Sequence, residues 1–189
     1  MRETEVLNEL EVEEEQAAED EVAVMAAPMR THLGLTREEM NWAAIAHASI
    51  VLTFLLGIVT SGLGAILGVL VPALIWYAHR EKSDYVAEQA RQATAFQLAG
   101  FAAMLVLALG GTLILTLGWT VSALLVLILV GLLLLPVMLV LTILTVVALV
   151  ALPIAQVIYG CYAAAETYNG RPFRYAWIAD QVDRYLDQA

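Results

Sequence analysis

Between Gln92 and Ala165 the chain carries no Asp, Glu, Lys or Arg, and a second charge-free run covers Asn41 to His79. Charge-free runs this long decide the solvent. A helix on a soluble domain keeps one wet face and so shows charges every turn or two. A helix crossing a bilayer needs about 20 predominantly apolar residues, and both runs supply them. The runs are continuously apolar and do not alternate, which argues against a transmembrane β-barrel. With 61% hydrophobic residues and a mean hydropathy of +0.77, the chain lies well above a soluble domain, in which about half the residues are apolar. The expected fold class is all-α: a polytopic transmembrane helical bundle.

The formal net charge of −10 belongs to one end. Residues 1–41 hold 12 acids and three Arg, and the rest of the chain holds seven acids and six bases. Residues 1–35 are read as an acidic, mostly disordered cytoplasmic tail, because such blocks are solvated and lack apolar surface to bury. No positive segment leads into an early apolar run, so a cleavable signal peptide is not expected. Nothing basic is concentrated enough to bind nucleic acid. The single cysteine, Cys161, excludes an internal disulfide and a multi-cysteine metal site; it reads as a small packing residue.

Thr36-Arg37-Glu38-Glu39 has capping-box spacing, with Leu35 and Met40 placed as a hydrophobic staple. A transmembrane domain over 36–178 follows, with Trp42 at the entry interface and spans near 43–60, 63–78, 95–118 and 137–168. Gly64 and Gly68 form a GxxxG that admits a close neighbour. Pro72 and Pro153 are expected to kink their helices. Arg80, Lys82 and Arg91 belong to the cytoplasmic loop between the second and third spans. Residues 179–189 form a short cytoplasmic tail, and aromatics from Tyr175 to Tyr185 would let the end of the chain lie as an interfacial amphipathic helix.

Length and charge pull the span count in opposite directions. Two helices sharing residues 95–168 would each be about 55 Å long at 1.5 Å per residue, against a hydrocarbon thickness of about 30 Å. Five spans fit that length. Four spans keep Arg80, Lys82 and Arg91 on the same side as Arg171, Arg174 and Arg184, as the positive-inside rule favours. Four are favoured, with an interfacial or re-entrant piece over 119–136. Gly110-Gly111, Gly118, Gly131 and Pro136 mark where the helix could break.

Ionisable groups inside a membrane are the default functional suspects, and His47 is the clear one. It reads either as a proton or ligand site or, better, as a neutral imidazole bonded to a neighbouring carbonyl or to Gln97. Gln97 and Gln156 are expected to make interhelical hydrogen bonds. No HExxH, GxSxG or Walker sequence occurs, and no catalytic, cofactor or metal residue is assigned.

Four segments carry a family resemblance: Trp42-Ala43-Ala44-Ile45-Ala46-His47-Ala48-Ser49, Gly68 to Trp76, Arg91-Gln92-Ala93-Thr94-Ala95-Phe96-Gln97, and Asn169 to Tyr175. Together they resemble the Tic20-like (DUF4870) family of small multi-pass membrane proteins. Ala95 stands where that family has Asn, and Gln89 where it has His. The resemblance implies four helices with both termini cytoplasmic, in a bacterial inner membrane. The function expected is a non-enzymatic subunit of an assembly or translocation complex, working through helix packing and cytoplasmic loops. The alternative is a small transporter or channel. The expected partners are the bilayer and other proteins or further copies of the chain.

Overall fold

The computed structural model describes residues 34–176, and every regular element in them is helical. The acidic tail, and the aromatic segment from Trp177 onward, lie outside the described residues. Helix α1 spans Arg37–Val59 and starts directly after Thr36. Glu38 and Glu39 occupy its first turn, where the helix dipole favours negative charge. The chain reverses at Thr60–Gly64. Ser61 (φ 54°) and Gly62 (φ 97°) are both left-handed there, and the Gly62 amide donates to the Gly57 carbonyl at 2.6 Å. Thr60 closes the turn: its hydroxyl donates to the Leu56 carbonyl and accepts from the Gly64 amide. Helix α2, Ala65–His79, returns with Pro72 inside it.

Helix α3 is a single unbroken element, Asp84–Leu125. This corrects the expected charged loop, which shrinks to Arg80–Ser83, and it puts Arg91 on a helix. The reason is local. Ser83 caps the helix by accepting from the Val86 amide, and Arg91 pairs with Glu88 one turn back, so the helix forms through the charges and continues into the apolar run. A 3₁₀ turn, Val126–Ile128, and the left-handed Leu129 (φ 67°) then reverse the chain into α4, Val130–Tyr168. The break thus falls between Gly118 and Gly131. Pro136 does not stop α4, and Pro153 lies inside it too.

Three of these helices are long and apolar enough to cross a bilayer: α1, α3 with its 3₁₀ turn, and α4. Helix α2, with 15 residues, covers about 22 Å at 1.5 Å per residue and falls short of a full crossing. The protein is an all-helical membrane protein with several apolar helices.

Close packing is set by small residues. Gly68 of α2 lies against Thr53 of α1, and Gly160 of α4 lies against Ile50 of α1. Along the α3–α4 hairpin, Gly100 faces Gln156, Gly111 faces Thr145 and Gly118 faces Met138, an antiparallel pairing that keeps its register over its whole length. Ala46, Ile75, Val86, Ala90 and Ala93 make the core where α1, α2 and α3 meet. Without a hydrophobic force between helices in lipid, such close approach is what holds them together.

Candidate functional site

His47 sits on the inward face of α1 and is 1% exposed. Its Nε2 lies 3.2 Å from Oε1 of Gln89 on α3, and its Nδ1 lies 3.0 Å from the hydroxyl of Tyr175. The same Gln89 oxygen accepts from the backbone N–H of Phe173 at 3.2 Å. A backbone N–H can only donate, so the Gln89 oxygen must face it, and Nε2 of His47 must then carry a proton. In the neutral imidazole Nδ1 is left as the acceptor for the Tyr175 hydroxyl. Every partner of the ring is thus fixed by one peptide amide on the far side of the network.

The segment that reaches this network leaves α4 through Asn169 and the left-handed Gly170 (φ 73°), where the Arg171 amide donates back to the Glu166 carbonyl. Residues 171–175 are not helical, and Tyr175 ends only 2% exposed. Its ring stacks on Phe96 at 4.1 Å with the planes 5° apart, and Phe173 packs edge-on to Tyr159, Tyr162 and Tyr175. Burial holds the Tyr175 phenol above its ordinary range. This part of the chain, expected at the membrane surface, is instead a strap fastened across α1, α3 and α4. Pro172 and the reversal at Gly170 turn it back over the bundle, where its two rings find apolar neighbours.

A second polar layer lies about one turn deeper. Gln97 donates from Nε2 to the Ser49 hydroxyl at 2.9 Å and accepts from the Thr53 hydroxyl at 2.8 Å, while Ser49 donates to the Ala46 carbonyl. Gln97 therefore ties α3 to α1, but through Ser49 and Thr53, with His47 bound elsewhere. Gln156 joins neither layer. It fills the space that Gly100 leaves open and borders a cavity between the α1–α2 turn and the middle of α3 and α4. Gln97 lines the same cavity, and His47 does not. Cys161, expected in the packing, is exposed on α4.

The charged side chains gather at the end where α1 begins, α2 gives way to α3, and α4 stops. Ser83 donates to the Glu39 carboxylate at 2.8 Å, and Tyr85 donates to the Thr167 carbonyl at 3.3 Å, which brings those three places together. Arg80 pairs with Glu81 at 3.5 Å and lies over the Tyr77 ring, and Lys82 follows in the same exposed turn. Among the described residues no three His, Cys, Asp or Glu side chains come together in a group that could hold a metal ion.

Gln89 and Tyr175 are the partners of His47 that sequence reasoning did not assign. Gln89 sits among charges, and Tyr175 lies 128 residues from His47, so no local spacing joins them. The one signal was that Gln89 and Tyr175 both fall beside or inside segments that carried the family resemblance.

Comparison with curated proteins found no match, and neither did comparison with solved structures. A family model does match, over residues 38–182: MamF/MmsF, described as the magnetosome magnetite crystal formation protein family. This overturns the resemblance to the Tic20-like family. The segments that suggested it consist of interface aromatics, small residues and helix stops, and in the structure they carry the His47 network and the Gly68 contact, demands that any bundle built this way must meet. The match covers most of the chain, and the chain belongs to the magnetosome magnetite crystal formation protein family.

Proposed function

We propose that the chain acts in magnetite crystal formation as a non-enzymatic membrane factor, built to hold a charged face at one surface of the magnetosome membrane. The observation that carries this reading is the commitment of His47. Both its ring nitrogens are taken up by Gln89 and Tyr175, and a general base must have a nitrogen within reach of a substrate proton. The buried polar groups therefore serve to fasten the strap and the helices. What they position is the end bearing Glu38, Glu39, Arg80, Glu81, Lys82 and Arg171, the part of the bundle open to other proteins or to further copies of the chain. The positive-inside rule favours that end on the cytoplasmic side. Transport is the weaker reading, because Gln97 and Gln156 border a cavity with apolar walls and the titratable His47 lies outside it.

Deleting the gene from the organism that carries it should change the size or shape of the magnetite crystals seen by electron microscopy. The parent chain should restore them, and so should His47→Gln. Crystals unaltered by the deletion would overturn the role in crystal formation. A His47→Gln chain that inserts at the parent level and fails to restore the crystals would overturn the non-enzymatic part.

A further inference from the structure

The bundle narrows from the charged end to the other. His47 of α1 bonds to Gln89 of α3 and Thr53 bonds to Gln97, so the two helices run side by side away from the charges. The α1–α2 turn comes level with the middle of α3, where Ser61 and Leu63 border one cavity with Leu105 and Ala108. Arg91 to Ala108 and Ala108 to Leu125 are equal stretches of α3, about 25 Å each at 1.5 Å per residue. Among the described residues only the α3–α4 hairpin continues past that level. At its tip Leu127, Ile128 and Leu129 are 86%, 65% and 71% exposed, and no charge lies between Gln92 and Ala165. An apolar surface of this kind does not stand in water, so the tip lies in lipid. The α1–α2 turn is halfway between the charged end and the tip. It therefore falls at the middle of the bilayer, however the long pair tilts or bends to fit.

The turn is built for that depth. Lipid offers the backbone no partner, so each polar group must be satisfied within the protein. Every backbone N–H from Thr60 to Ala65 has an acceptor: the carbonyls of Leu56, Gly57, Ile58, Thr60 and Gly62 and, for Gly64, the Thr60 hydroxyl. Val59 and Leu63, flanking the turn, are 82% and 83% exposed; at mid-depth they face lipid, and at a far surface they would face water. We propose that α1 and α2 form a re-entrant pair confined to the leaflet at the charged end, and that the resulting wedge fits a bilayer curved convexly on that side. Helices are about 10–12 Å across with their side chains, so one leaflet makes room for four such bodies and the other for two. Bending toward the wide end relieves that difference in area. The outer leaflet of a small vesicle has this curvature when the charged end faces outward. The wedge is independent of any role in the crystal and is tested without one.

Two measurements on the full chain test it, both in a Cys161→Ala background. Ser61→Cys and Leu63→Cys are spin-labelled singly in phosphatidylcholine vesicles, and collisions with oxygen are compared with collisions with a water-soluble nickel chelate. Both labels should show the high oxygen and low nickel access of mid-bilayer. Thermal melting checks that each variant is folded, and if one is not, the other reads the same turn. Nickel access at the turn matching that of a label at Lys82→Cys would overturn the re-entrant pair. For the wedge, Lys82→Cys chains in giant phosphatidylcholine vesicles are labelled from outside with a membrane-impermeant fluorescent maleimide, so that only chains with the charged end outward are seen. Their density in a narrow tube pulled outward, relative to a lipid dye, should be at least twice that on the parent vesicle. A smaller ratio, or depletion from the tube, would overturn the fit to convex curvature.

Discussion

At the scale of single residues, one peptide amide sets the chemistry of the most suspicious side chain. Because the Phe173 N–H fixes the Gln89 oxygen, His47 donates on one side and accepts on the other. Tyr175→Phe removes one of these bonds and keeps the stack on Phe96, so it should cost about 0.6–2 kcal/mol, the range for interhelical hydrogen bonds in membranes. His47→Leu removes both and leaves the Tyr175 hydroxyl buried without its partner, so it should cost about 1–3 kcal/mol, with His47→Gln in between. Denaturant titration in micelles measures each, and a double-mutant cycle on His47 and Tyr175 should give a coupling well above zero. The Tyr175 phenol also makes a pH prediction. Its folded pKa is raised above the ordinary value of 10.0, so the folded state holds its proton where the unfolded state has lost it. This contribution is complete below pH 10 and is lost as pH rises further. Tyr175→Phe should remove that alkaline loss from a stability–pH curve. The sequence showed His47 as a buried polar residue but not its partners, because Gln89 looks like a loop residue among charges and Tyr175 like a tail residue at the interface.

At the scale of elements, the α3–α4 hairpin is the outlier. The apolar part of α3, residues 93–125, is about 50 Å long at 1.5 Å per residue, and the hydrocarbon it enters is about 30 Å thick. The usual tilt of about 20° absorbs only a few ångströms of that excess. The hairpin should therefore be more stable in thick bilayers, and the melting temperature of reconstituted protein should rise from short-chain to long-chain phosphatidylcholine. A flat or falling series would show that the hairpin lies otherwise. The reversal at its end rests on two residues. Gly131 lies against the backbone at Ser122, Leu125 and Val126, whereas Gly118 meets only the flexible end of Met138. Gly131→Ala should thus destabilise by several-fold more than Gly118→Ala in the same titration, since backbone cannot move aside as a methionine can. Leu129 sits at φ 67°, where a non-glycine residue is strained, and Leu129→Gly should be neutral or stabilising by up to about 1 kcal/mol. The sequence located this interruption only to an interval. Gly110, Gly111 and Gly118 looked like breaks, but in the structure Gly111 and Gly118 are close contacts between helices. A glycine in an apolar helix can serve either end, and its own sequence does not say which.

At the scale of the whole molecule, the long charge-free runs already spelled out an all-helical membrane protein, because nothing but a bilayer tolerates them. The closing stretch Asn169-Gly170 was equally readable, since both residues accept a left-handed stop, and α4 ends at Tyr168. What the strap does after that stop was hidden, because its contacts are long-range. The central claim is that the charged turn after α2 and the strap after α4 sit on the same side of the membrane, held there by an even number of crossings between them. Cysteine accessibility tests it directly. In a Cys161→Ala background, Lys82→Cys and Arg171→Cys are placed singly in the chain and treated with a membrane-impermeant maleimide, in intact cells and after permeabilisation. Both positions should be protected in intact cells and labelled only after permeabilisation. Labelling of one and protection of the other would put them on opposite sides and contradict the arrangement.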